Sequence, residues 1–290
     1  MPTSPSSSAQ AARKRLAGQL REMREAARIS GREFAKRAGW ADGTIVSRIE
    51  KAQRTITADH VRLWCQICGA SQGRAEELLA EQAAVAGMWI SYQQLNRGGL
   101  KKAQESVRDK YERLRLLRVY QSRGIPGLLQ SEGYLREVLA DIWSEQGVEA
   151  DDRVQDIAGA VAERMDRQSV LHRPGKRFVF VVEEVVLRYR TVSQETHAEQ
   201  LRHLLAVMCL PSVSFGVIPM NADRRGMRPR ETFTMTDNAL VNVELVSGYL
   251  SVRLATEVAM YTHAFERLFA LAVHGDRAEA LIEAALQELG

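Results

Sequence analysis

Little in this chain of 290 residues points to a membrane, an oxidising compartment or an active site. No apolar run approaches the roughly 20 residues that a membrane-spanning helix needs. Residues 1–9 read as a disordered tail, because Met1–Ser8 is rich in Pro and Ser and lacks the apolar stretch of a secretory signal. Three cysteines, Cys65, Cys68 and Cys209, are too few for a disulfide framework, and the cytoplasm is the expected compartment. Cys65-Gln66-Ile67-Cys68 has the form C-x-x-C. It lies in a helical pattern with Val61 and Trp64 and has no second pair, so neither zinc nor redox chemistry is expected of it. The six histidines make no H-E-x-x-H, and there is no P-loop, no G-x-S-x-G and no G-x-G-x-x-G. Glu183 and Glu184 end a strand pattern whose alternation puts them on opposite faces. No enzyme activity, catalytic residue, metal ligand or cofactor is expected.

What is present is a globular composition, 45% hydrophobic and 26% charged, long enough for one or two domains with sizeable cores. The net charge of +4 is uneven. Residues 1–86 hold 14 Lys/Arg against 9 Asp/Glu, giving +5, and the remaining 26 against 27 give −1. A basic N-terminal end suits phosphate neutralisation.

That end is organised around residues 30–54. Ser30 and Glu33 have the spacing of a capping box. Phe34, Ala35 and Ala38 form an apolar helical face, and Gly39 suits the left-handed residue that ends such a helix. Asp42 is placed to cap a second helix, whose Val46 and Ile49 point inward. Small Ala35 lets the two helices cross closely, as a helix-turn-helix requires. Gly43, Thr44, Ser47 and Arg48 then lie on the outer first turns of the second helix, where base edges are read in a major groove, and Arg matches guanine. Lys36, Arg37, Lys51 and Arg54 are the expected phosphate contacts.

The stretch from Phe34-Ala35 through Gly39-Trp40 to Val46-Ser47-Arg48-Ile49-Glu50 resembles the phage-repressor-like helix-turn-helix domains of the Cro and xenobiotic-response-element (XRE) type. Two departures stand out: Gly39 to Val46 is one residue longer than usual, and Gly31 stands where many relatives carry a phosphate-binding Gln. The resemblance implies five helices over residues 10–86. The periodicity agrees. A first helix over 10–27 carries Leu16, Leu20, Met23 and Ala27 inside and Arg13, Lys14, Arg15, Arg21 and Arg24 outside. A fourth starts at Thr57 or Asp59 and stops at Gly69, and a fifth runs from Ser71 to about Ala86.

Residues 87–102 break the pattern, with Gly98-Gly99 at the weakest point. They form a connecting segment whose Trp89, Ile90, Tyr92 and Leu95 are too apolar for a free linker. Residues 103–290 form a second domain. A helix is expected over 103–120, with Val107, Tyr111, Leu114 and Leu117 inside and a cationic outer face. Ser131 caps a helix through Leu139, and Asp151 begins another that ends near Leu171. Phe178–Val182 and Val213–Pro219 read as strands joined by a helix, hence a parallel pair. Glu231–Met235 and Leu240–Val246 read as a hairpin turned at Asp237-Asn238, and helices over Val252–His274 and Asp276–Leu289 follow. The expected fold is therefore mainly α with a smaller α/β part: a five-helix bundle, then an α+β domain with a mixed sheet of about four strands.

The Ile125–Gln130 turn with Tyr134, Glu163-Arg164-Met165 with Arg167-Gln168, the two strands and the closing helices resemble a C-terminal domain of unknown function (DUF5753-like). That domain follows a repressor-like domain in many actinobacterial regulators. The resemblance implies a regulator, in some relatives of development or antibiotic production, often encoded beside a small partner protein in a toxin–antitoxin-like arrangement. The expectation is a sequence-specific regulator that binds double-stranded DNA as a homodimer, with a C-terminal domain that dimerises, senses or binds the partner. Two other readings stand beside it: an antitoxin-like protein that sequesters the small partner, and a small-molecule-sensing regulator.

Overall fold

The computed structural model describes residues 8–91, 111–145, 150–245 and 248–290. They fall into two compact units. One is the chain up to Ser91 together with Gly248–Val252, and the other is the remainder.

The first unit holds α1 (Ser8–Ala26), α2 (Gly31–Arg37), α3 (Thr44–Glu50), α4 (Ala58–Cys68) and α5 (Gln72–Ala86). Ser30, Thr57 and Ser71 each accept a hydrogen bond from an early N–H of the helix they precede, satisfying a donor that has no partner within the helix. Each helix gives one apolar stripe to a shared core: Leu16 and Leu20, Phe34 and Ala35, Val46 and Ile49, Val61 and Trp64, and Leu78. The Phe34 and Trp64 rings meet at a centroid distance of 4.2 Å. After α5, β1 (Trp89–Ser91) pairs antiparallel with the strand Gly248–Val252, Trp89 facing Leu250. The sequence pattern assigned that strand's residues to the second domain and Val252 to a helix. Alternating Gly248, Leu250 and Val252 instead suit an extended ladder that closes on residues 89–91.

The second unit is built on β2 (Leu116–Gln121), β3 (Arg177–Glu183), β4 (Val213–Ile218), β5 (Phe233–Thr236), β6 (Leu240–Leu245) and a short β8 (Val273–His274), with Gly248–Val252 numbered β7. The strand order within this unit is β6-β5-β2-β3-β4-β8. β2 pairs parallel with β3 and β3 with β4, while β5 and β6 are antiparallel. The sheet is mixed, as expected, but has more than the four expected strands. The helix predicted over 103–120 is present at residues 111–113 and overturned from Leu116, since Leu116–Gln121 is a central strand; residues 103–110 lie outside the described residues. Leu117 and Val119 pack on one face and Tyr120 on the other, a period of two that charged neighbours disguise as a helical face. The chain also leaves the last predicted helices early: α9 (Ala255–Leu271) is followed by β8 and α10 (Asp276–Gln287).

α8 (Gln194–Val207) joins β3 to β4, and with α10 it covers one sheet face through Leu201, Leu204, Ile282 and Ala285. α9 covers the other, where Phe233 sits 5.7 Å from Tyr120 and 6.3 Å from Phe265. α6 (Glu132–Glu145) and α7 (Ala150–Gln168) pack together through Leu135, Leu139, Ala160 and Val161. The predicted hairpin is present, with Asp237 and Asn238 both at positive φ in its turn, where the Ala239 N–H donates to the Thr236 carbonyl at 3.0 Å. Among the described residues no helix is long and apolar enough to cross a membrane.

Candidate nucleic-acid interface

The turn between α2 and α3 is set by its ends. Gly39 has φ +69°, and the Trp40 N–H reaches back to the Ala35 carbonyl at 2.8 Å. This is the left-handed stop read from the sequence. The capping box is only half made. Ser30 accepts from the Glu33 N–H, but the Glu33 carboxylate pairs with Arg37 Nε at 2.9 Å, one turn along the same helix, instead of turning back. α3 begins at Thr44, with Gly43 at its cap position. Asp42 Oδ1 accepts from the Thr44 N–H at 2.6 Å and also from the Thr44 hydroxyl. Those two bonds, the hydroxyl's first, hold the Asp42 carboxyl below its usual range.

With Val46 and Ile49 buried, Thr44 and Arg48 are exposed and Gly43 and Ser47 are half-buried beside them. The four expected base-reading residues therefore share the outer side of the first turns of α3. Lys36, Arg37, Lys51 and Arg54 are exposed too. Among the described residues the side chains of Lys36, Arg48, Lys51 and Arg54 make no hydrogen bond or ion pair, whereas Arg37 is held by Glu33. One cation lies outside the set read from the sequence. Arg32, exposed in the first turn of α2, sits beside the start of α3: a Cβ on Gly43 would stand 3.5 Å from the Gly31 carbonyl and 3.6 Å from the Arg32 nitrogen. Two glycines at this approach are the sequence signal for it.

What orients α3 was not legible as such. Arg24, expected on the wet side of α1, turns inward. Its Nε and Nη2 grip the two oxygens of Glu50 at 2.6 and 2.8 Å, and its Nη1 donates to the Ile29 carbonyl at 2.8 Å. The two side chains are only 12% and 7% exposed. The pairing with Glu50 raises the Arg24 pKa further above its usual value. A bidentate pair between α1 and the last residue of α3 fixes that helix in rotation as well as position. Cys65 and Cys68 face inward as expected, and burial pushes both thiols above their usual range.

In the second unit, the polar face at the end of α7 supports a loop. Gln168 Nε2 donates to the Gln130 carbonyl at 2.7 Å, Gln130 Nε2 to the Ile125 carbonyl at 2.8 Å, and Gln200 Nε2 to the Leu129 carbonyl at 2.8 Å. Arg167 lies over the Tyr111 ring at 5.3 Å. Glu183 and Glu184 have separate partners: the Tyr120 hydroxyl and Arg224 hold the first, Arg188 and the Met220 N–H the second.

Comparison with known families gives two matches. The family described as Domain of unknown function (DUF5753) matches residues 112–284, more than half of the chain. The family described as Helix-turn-helix domain matches residues 15–78, which contain the turn, α3 and every residue of the proposed interface. The second match supports DNA binding and transcription regulation. No curated protein matches the chain.

Proposed function

Because the chain belongs to the DUF5753 family and carries a helix-turn-helix domain ahead of that region, we propose that it is a cytoplasmic, sequence-specific transcriptional regulator that acts as a homodimer. The observation that carries this reading is the two-sided character of α3. Val46 and Ile49 anchor it, and Thr44, Ser47 and the unpaired Arg48 face outward between exposed cations. Arg48 reads a base. Lys36, Lys51, Arg54 and Arg32 meet phosphates, each neutralised phosphate adding about 0.9 to the salt slope of binding. One such helix spans only a few base pairs, so two copies on a near-palindromic site supply the specificity. The targets belong to development or secondary metabolism, and the DUF5753 region binds a partner or dimerises. The reading includes no catalytic role.

Arg48→Ala tests it on DNA recovered by genome-wide mapping of bound sites. Affinity for the cognate site should fall by about 1–3 kcal/mol with specificity relaxed at one position, while binding to random DNA stays nearly constant. An equal loss on both DNAs would remove the base-reading role.

A further inference from the structure

The DNA-binding unit is not one continuous piece of chain. Residues Gly248–Val252 lie between β6 and α9, both in the second unit, yet they belong to the first. They pair with residues just beyond α5: Ser91 faces Gly248, Ile90 faces Tyr249 and Trp89 faces Leu250. The Ser251 N–H extends the ladder to the Met88 carbonyl at 2.8 Å. β7 also packs on α1, and α1 grips the recognition helix through Arg24 and Glu50. Two contacts in series, β7 on α1 and α1 on α3, thus connect a strand from within the family-matched region, residues 112–284, to the helix that meets DNA.

We propose that Gly248–Val252 is a strap: its pairing with Trp89–Ser91 holds the DNA-binding unit in its binding-competent form, and its release is how the DUF5753 region switches DNA binding off. The proposal rests on the DNA-binding reading above. A ladder this short is marginal by itself. Anything that engages the chain around 248–252 differently in its paired and released states therefore shifts the balance by that difference in affinity. The strap requires no change in the residues that touch DNA. It acts through the support of α1.

The test uses the full chain and hydrogen exchange. In the unaltered protein, the Ser251 amide should exchange in step with α5 and β1 and not with β3 and β4. Exchange in step with the second unit, or no protection at all, overturns the strap even if no variant folds. Ser251→Pro removes the donor to Met88. It should speed exchange in β1, α5 and α1 by about tenfold or more and weaken operator binding severalfold, leaving β3 and β4 unchanged. Faster exchange with undiminished operator affinity refutes the switch. If the unaltered chain binds no DNA, the DNA-binding reading falls, while the exchange arm still decides whether the strap exists.

Discussion

Removing the Arg24 guanidinium should loosen the recognition helix more than any single change on its DNA-facing side. In Arg24→Met the Glu50 carboxylate, 7% exposed, loses both of its bonds. Stripping one partner from a buried pair costs about 3–5 kcal/mol, since the charge left behind has neither water nor a counter-ion. The Ile29 carbonyl also loses a donor. A cost near 3 kcal/mol corresponds to an opening equilibrium on the order of a hundredfold larger, read as faster amide exchange in α3 and the end of α1. Exchange is the suitable assay because it reports each unit separately, where a single melting curve of a two-unit chain does not. Glu50→Gln should cost a similar amount for the converse reason. The double variant Arg24→Met/Glu50→Leu, with no charge left to strand, should return to within about 1 kcal/mol of the parent. Two results refute the reasoning: single variants that each cost under about 1 kcal/mol, as an exposed pair would, or a double variant that costs the sum of the singles.

Three further outcomes follow from the local geometry. Ala52 closes α3 at φ +55°, with the Gln53 N–H bonded to the Arg48 carbonyl at 2.8 Å; Ala52→Gly should stabilise the first unit by up to about 1 kcal/mol in denaturant titration, unchanged stability counting against the strain. In β4, a Cβ on Gly216 would stand 2.4 Å from Cε1 of His274, whose ring nitrogens lie 3.1 and 3.3 Å from the Phe215 and Phe269 carbonyls, so Gly216→Ala should destabilise the second unit by about 1–3 kcal/mol and leave α1–α5 exchange alone. Burial lowers the pKa of His60 and of His203, in His60 aided by Arg54 and in His203 opposed by Glu199. The unfolded chain therefore takes up protons first: these terms are fully favourable above a pH of about 6.5 and are lost as pH falls from there through the lowered folded values. His60→Gln should flatten that part of the acid dependence in the first unit and His203→Gln in the second, and an unaltered profile in both would refute the assignment.

The first unit was legible because its signals are local. Ser30, Gly39, Thr57 and Ser71 sit where the caps form, and Phe34, Val46, Ile49 and Trp64 recur with the helical period of one buried stripe. The outward set Gly43, Thr44, Ser47 and Arg48 follows from that period alone. Arg24 was misread for the same reason: period places it on a polar face, and only the arrival of Glu50 from 26 residues away turns it inward. β2 failed on the same ground. Leu116-Leu117-Arg118-Val119-Tyr120 is flanked on both edges by partners, β3 and β5, that begin 56 or more residues later, and no neighbour in sequence announces them. The strand 248–252 is the extreme case, since its ladder partner lies far back, beyond α5.

The residues that make the C-terminal resemblance most specific are largely scaffolding. The Ile125–Gln130 loop is buried, and a buried loop must have its carbonyls satisfied. Gln130, Gln168 and Gln200 do this from three different elements, and the Ser131 N–H returns a bond to Gln200 Oε1 at 2.7 Å. Glutamine suits the task because one side chain carries both a donor and an acceptor and has no charge to desolvate. Gly133 is bound into the same arrangement, since a Cβ there would meet Glu199 Oε2 at 3.1 Å. The amide nitrogens of these three glutamines are thereby all directed at backbone carbonyls of the loop.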